Sequence, residues 1–246
     1  MRKKIVIIFL INIFTVVCSF GQDYNASFFG CVSDGVTNNT ASIQAGIDLI
    51  SSKGGGTLHF YVGRYLTGGL ELKSNVVIEI HEGAVLAATP NVNDYTLYDG
   101  LRSMVYGNNI SNVKIIGKGV IEANPSQYFD LVKALESKKL LSQNYLNTVP
   151  SLITLVNCKD VEVKGIILQK SLKTAVDCIN SQNVQLEDLI IRHNERMKGT
   201  GINLLKSSDI SLSNIFVEHK SRAIVNSDSK ILMSKNCITS DGSSIL

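Results

Sequence analysis

Three stretches in the second half of the chain repeat one alternation of polar and apolar residues: NCKDVEVKGIIL, NSQNVQLEDLII and KSSDISLSNIFV. Each reads as a polar turn, an alternating strand, a single polar break and an apolar strand. Val161, Val184, Ile210 and Ile231 occupy equivalent places, about one every 23 residues, the spacing of a solenoid repeat. Val113 lies about two such periods upstream of Val161. Repeats made of strands alone predict a parallel β-helix, its coils stacked about 4.8 Å apart with Val, Ile and Leu inside. Asn and Ser at the turns suit this fold, because they cap backbone groups and tolerate left-handed conformations.

The first half carries the signal in shorter runs: Leu58-His-Phe60, Leu70-Glu-Leu72, Val76 to Ile80 and Ala84-Val85-Leu86, separated by Gly, Ser or Asn. Before them, Ile43, Ile47 and Ile50 share one face of a helix over Asn39–Ser51. Asn38, Asn39 and Thr40 are its N-cap candidates, and Gly54, Gly55 and Gly56 stop it. A solenoid's end coil leaves an unpaired edge and an open apolar core, which an amphipathic helix covers. The predicted fold is therefore all-β, a right-handed parallel β-helix with an N-terminal amphipathic capping helix. Residues 124–150 break the repeat, and Tyr128, Leu131, Val132 and Leu135 predict a loop-helix insertion there. The sequence ends at Ser243-Ser-Ile-Leu246, within what reads as another strand. Two expectations follow: edge-to-edge self-association of the last coil, or a shortened relative of a longer protein.

Composition changes the picture at the N-terminus. Arg2, Lys3 and Lys4 precede an apolar run from Ile5 to Val17, with Ser19 and Gly21 at signal-peptidase spacing. Residues 1–21 are expected to be a signal peptide, leaving 22–246 as one exported β-helix domain, periplasmic or extracellular. Lipoprotein anchoring at Cys18 is the rival, disfavoured by the bulky Val17. The apolar run is short of the roughly 20 residues a membrane span needs. Three of the 24 Lys and Arg lie in that segment, so the remainder balance the 21 Asp and Glu. A formally neutral mature chain argues against general affinity for nucleic acid or anionic membrane. Cys31, Cys158, Cys178 and Cys237 match neither a zinc motif nor a small disulfide framework, and read as buried thiols.

One resemblance is specific. It runs through Gly30, Asp34-Gly35, Gln44, Asp48, Gly54-Gly-Gly-Thr57, Tyr65-Leu-Thr-Gly68 and Leu72-Lys-Ser-Asn-Val76. It continues through Tyr106-Gly107, Ile116-Gly-Lys-Gly119, Pro150-Ser-Leu-Ile153 and Asn157-Cys158. On these residues the chain resembles glycoside hydrolase family 28, the polygalacturonases. The resemblance implies inverting hydrolysis of galacturonan-type chains, in which an acid and a carboxylate stand roughly 6.5–9.5 Å apart. The family writes its chemistry as Asn-Thr-Asp-Gly, Gly-Asp-Asp, Gly-His-Gly and Arg-Ile-Lys. Counting by coils, the first motif falls on Lys198, Gly199, Thr200 and Gly201, with Asn203 where a further Asp is common. The second falls on Lys220, Ser221 and Arg222, and the third near Gly242, Ser243 and Ser244. None of the family's catalytic side chains carries over. Thr, Asn and Ser cannot supply a proton transfer worth about 10²–10⁴ in rate.

What remains are replacements. Asp177 should share a sheet with Asn203 one repeat on, either as a displaced base or as a plain surface carboxylate. Lys198, Lys220 and Arg222, with Asn203, would suit an acidic saccharide, since Arg grips carboxylates in bidentate fashion; the alternative is a solvated basic edge. His193, with Glu195 and Arg196 close by in sequence, and His219 before Lys220 either touch such a ligand or are plain polar surface. Tyr61, Tyr65, Tyr128 and Phe129 either stack on sugar rings or pack internally. Asp177, Glu187, Asp188 and Asp209 share no direction, so neither a metal site nor a cofactor is expected. Three readings stand: a pectic polysaccharide hydrolase, impaired or inactive; a noncatalytic β-helix that binds acidic glycan; and a truncated remnant.

Overall fold

The alternation along residues 159–164, 182–187 and 208–213 becomes three successive rungs, in which Val161 pairs with Val184 and Val184 with Ile210. Val113 joins below and Ile231 above, so the positions equated by counting are register partners. All of these strands run parallel. The protein is described from a computed structural model over residues 22–141, 145–192, 199–218 and 223–245, without the side chains of 146 and 147.

The coils through the middle of the molecule contribute three strands each. A six-stranded parallel sheet is built from Leu70–Glu71, Ser103–Asn108, Ser151–Val156, Thr174–Ile179, Thr200–Leu205 and Ile224–Ser227. The remaining strands belong to one 14-stranded sheet. It folds back on itself at the long strand Ser208–Val217, which pairs with both Gln182–Glu187 and Ile190–Arg192. Winding a parallel chain this way gives the right-handed coil that crossovers adopt. The core runs the length of the coil as rows of Val, Ile and Leu, with Val161, Val163, Val184, Leu186, Ile210 and Leu212 all at 2% exposure or less.

Polar residues govern the corners. Asn109, Asn157 and Asn180 close the turn after the six-stranded sheet with φ of 54°, 52° and 49°, the left-handed region Asn tolerates. A serine follows at the same corner of successive coils. Ser181 Oγ accepts from Cys158 N at 3.1 Å, Ser207 Oγ from Ser181 N at 3.0 Å, and Ser229 Oγ from Ser207 N at 2.9 Å. These hydroxyls satisfy amides that the turn removes from the ladder.

The helix Thr40–Ser52 (α1) seals the first coil, burying Ile43, Ile47 and Ile50. It begins and ends one residue later than the pattern suggested. Asn39 holds the N-cap position without a side-chain cap bond, because its amide turns inward to Val32 and Leu66, and Asn38 before it accepts from Thr40 N at 3.0 Å. After it, Gly55 lies at φ 125°, where a Cβ would stand 2.6 Å from the Asn75 carbonyl oxygen. Only glycine passes there. Residues 124–150 hold a second helix, Pro125–Ser137 (α2), and a 3-10 turn, Tyr145–Thr148. Tyr128 and Tyr145 share a 2.8 Å hydroxyl contact, and the Arg102 guanidinium lies 4.6 Å over the Tyr145 ring. All four cysteines of residues 22–246 are free and buried, and desolvation raises the Cys31 thiol to about 11.

Candidate functional site

One file of side chains runs along the middle of the outer face of the six-stranded sheet. Register places Glu71, Tyr106, Thr154, Asp177, Asn203 and Val225 on consecutive rungs. Asp177 is the centre of this file. It is 6% exposed, between the apolar Val176 and Cys178 that point into the core. Its carboxylate accepts from Ser151 Oγ at 2.7 Å and from Asn203 Nδ2 at 2.9 Å. The file thus brings together two of the residues singled out in the sequence, and adds Ser151, which counting missed because it sits at the start of its strand rather than on Asp177's rung.

The strands themselves contribute few acids to this face. Within these six strands the carboxylates are Glu71 and Asp177. Three rungs separate them, about 14 Å at the spacing of parallel strands. An inverting pair needs roughly 6.5–9.5 Å. Glu71 is moreover engaged by Lys73 at 2.6 Å. Thr200 lies at the entry of its strand, its amide bonded to Lys173 O at 3.0 Å. Gly201, which counting matches to the glycine expected in the family's first motif, has a steric reason to be glycine: a Cβ there would stand 2.5 Å from Ala223 O on the next rung. Lys198, Lys220, Ser221 and Arg222, with His193, Glu195, Arg196 and His219, lie outside the described residues.

Toward α1 the same face opens into a cavity of about 400 Å³ bordered by Gln44, Asp48, Glu71, Lys73 and Tyr98. Tyr98 stacks flat on Tyr106, centroids 4.3 Å apart. Of the aromatics weighed from sequence, Tyr65 and Tyr128 are buried, Phe129 packs edge-on to Tyr128, and Tyr61 is 47% exposed. Tyr61 stands away from this face, on the long sheet.

The acids weighed for metal binding stay apart. Glu187 pairs with Lys164 at 3.0 Å, Asp188 accepts from Asn214 at 2.9 Å, and Asp209 accepts from Gln182 at 2.9 Å. A different set converges. His59, Glu79 and His81 place one ligand atom each within 4.8 Å of one another. The expectation of no metal site had not considered them. The signal was present, because His59 and His81 are one coil apart, but the early coils lack the clear repeat that makes counting safe.

Comparison with known proteins shows the family through a family model and the fold through solved structures. The profile of Glycosyl hydrolases family 28 matches residues 56–245. A Vitis vinifera protein, a polygalacturonase by assignment, is 27% identical over 194 residues, which are 71% of this chain and 38% of that protein. The chain thus spans well under half the length of that curated relative. Among solved structures, a Parabacteroides merdae protein, a glycosyl hydrolase by assignment, aligns at 35% identity with a TM-score of 0.82, covering 91% of this chain and 100% of the other. The family 28 exopolygalacturonase of Yersinia enterocolitica superposes with a TM-score of 0.74 at 22% identity, over 86% of this chain and 48% of its own. No helix among the described residues is long and apolar enough to cross a membrane.

Proposed function

Because the chain belongs to glycosyl hydrolases family 28, we propose that it binds an acidic, galacturonan-type polysaccharide along the six-stranded sheet and is impaired as a hydrolase of the family type. One observation carries this reading: the file Tyr106, Thr154, Asp177, Asn203 and Val225 holds a single carboxylate over five consecutive rungs. Inverting hydrolysis divides its work between an acid and a base. Asp177, clamped by Ser151 and Asn203, can fill one role at most. The cations expected at Lys198, Lys220 and Arg222 would hold uronate carboxylates beside it.

The test is a panel of polygalacturonate and rhamnogalacturonan in which binding and release of reducing ends are followed on the same samples. Binding that weakens with salt and with Arg222→Ala, with turnover depressed by about 10²–10⁴, supports the proposal. Rapid release of reducing ends that Asp177→Ala abolishes would mean that a working acid pair exists, and overturns the impairment. Failure to bind either polymer overturns the substrate class.

A further inference from the structure

We propose that His59, Glu79 and His81 form a site for one divalent first-row transition ion of the zinc class, on the long sheet and independent of the face assigned above. His59 lies in the strand Gly56–Phe60, and Glu79 is its register partner in Val76–Ile80 on the next coil. His81 follows that strand, two residues on from Glu79, and so returns to the same face. Nδ1 of His59 is 3.0 Å from Nε2 of His81 and 3.3 Å from a Glu79 carboxylate oxygen. The other Glu79 oxygen is 3.8 Å from Nε2 of His81. Two ligands bound at 2.0–2.1 Å in a tetrahedral shell lie about 3.3 Å apart. The three separations bracket that value, so an ion could sit among these atoms with only small side-chain adjustments.

The surroundings fit the same reading. Asp23 Oδ1 is 3.4 Å from Nε2 of His59. With the ring proton on Nε2 facing that carboxylate, Nδ1 is left as a lone pair aimed at the ion position, the carboxylate–histidine arrangement that orients metal-bound imidazoles. Tyr61 stacks on His81 with centroids 4.5 Å apart and lies parallel to His59 at 5.9 Å, holding both ring planes. A cation bound here would satisfy all three atoms together. Two imidazoles and one carboxylate favour zinc, nickel, copper or iron over the all-oxygen shells of calcium and magnesium.

The side chains of His59, Glu79 and His81 are 15%, 29% and 33% exposed, so the ion has an entry path. Three protein ligands leave a tetrahedral ion one open position. Glu79 and His81 themselves border a cavity of about 570 Å³, with Glu82, Lys118, Glu162 and Lys164. An ion here would join two successive coils and offer its free position to an oxygen ligand in that groove.

The test uses the full chain without a histidine tag, titrated with zinc chloride by calorimetry and with cobalt(II) by visible absorption. One equivalent of zinc is expected, with the cobalt form showing the intense bands of a four-coordinate site. His59→Ala and His81→Ala should each weaken zinc binding at least tenfold, and Glu79→Gln, which preserves volume, should do likewise. His193→Ala and His219→Ala should keep the wild-type affinity, and millimolar magnesium or calcium should not displace zinc. Far-UV circular dichroism confirms that the variants are folded. No zinc uptake by the wild-type chain, or uptake unchanged in both His59→Ala and Glu79→Gln, would overturn the assignment.

Discussion

Asn203 donates its side-chain amide to Asp177 across one rung of the six-stranded sheet, 2.9 Å from nitrogen to oxygen. The two residues stand as register partners, where side chains of neighbouring coils necessarily meet. An amide facing a carboxylate at that distance is a satisfied, ordinary contact; two carboxylates there would be a strained and reactive one. The identity of one residue thus decides whether this rung can hold a coupled acid pair.

Replacing Asn203 by Asp tests that statement directly. The introduced carboxyl would replace a donor with a like charge, and it should keep its proton well above the ordinary carboxylate range. A folded-state pKa above the unfolded one means that stability is greatest in acid and is lost as pH rises through the folded value. Asn203→Asp should therefore be about 1–3 kcal/mol less stable than wild type at pH 7, with the gap closing toward pH 4. Urea unfolding at both pH values measures it, and an equal gap at the two would show that the side chains are not in contact.

Asp177→Asn asks whether the remaining charge serves or opposes ligand. If the face binds an acidic chain without using Asp177 as a base, removing this negative charge should raise affinity for polygalacturonate about two- to fivefold, the scale of a screened charge pair. The gain should shrink as salt is added. Lower affinity in the variant would mean that the carboxylate takes hydrogen bonds from the sugar.

Much of this architecture was legible in the sequence because a parallel β-helix repeats both its period and its face. Once Val161, Val184 and Ile210 were equated, Asp177 and Asn203 had to be neighbours on the adjoining sheet. Helix α1 was equally plain, since Ile43, Ile47 and Ile50 have one apolar floor to cover. What stayed hidden involves residues whose coils carry no clean repeat. His59 and Glu79 meet across early rungs that pair regularly but whose sequences do not visibly repeat, and Arg64 reaches Glu122 from a different coil. The cations at Lys198, Lys220 and Arg222 were inferred by counting alone, and lie outside the described residues.

Glu122 illustrates the second kind. Its side chain is 5% exposed, paired with Arg64, 3.2 Å from Lys170 and 2.6 Å from Gln169 Nε2. Burial alone would raise its carboxyl, but the hydrogen bonds of Arg64 and Gln169 and the Arg64 charge outweigh burial and hold it below the ordinary glutamate range. A depressed folded pKa gives stability that is present above the unfolded value and lost as pH falls through the folded one. Because Arg64 and Lys170 are half-exposed and can rehydrate, Glu122→Gln should cost only about 1–3 kcal/mol at pH 7. The difference from wild type should fade below about pH 4, the region where carboxylates protonate. A penalty independent of pH would point to packing rather than charge.

Gly201 offers the cleanest separation of scaffold from chemistry. Counting by coils sets it where the family's first motif is expected, which invites a catalytic explanation, yet the geometry supplies a mechanical one. The Ile202 amide donates to Ala223 O at 2.9 Å, and a Cβ on Gly201 would meet that same oxygen at 2.5 Å and Val217 Cγ1 at 3.2 Å. The obstacle is backbone rather than a flexible tip, so the rung itself must shift and its ladder bond must lengthen. Gly201→Ala should cost about 1–3 kcal/mol, the usual penalty for overpacking. For a chain of this size, that is roughly 2–4 °C in Tm for each kcal/mol. Stability should fall equally with and without polysaccharide, because the clash is present in both states. A variant that melts like wild type but fails to bind would move Gly201 from the scaffold to the ligand face.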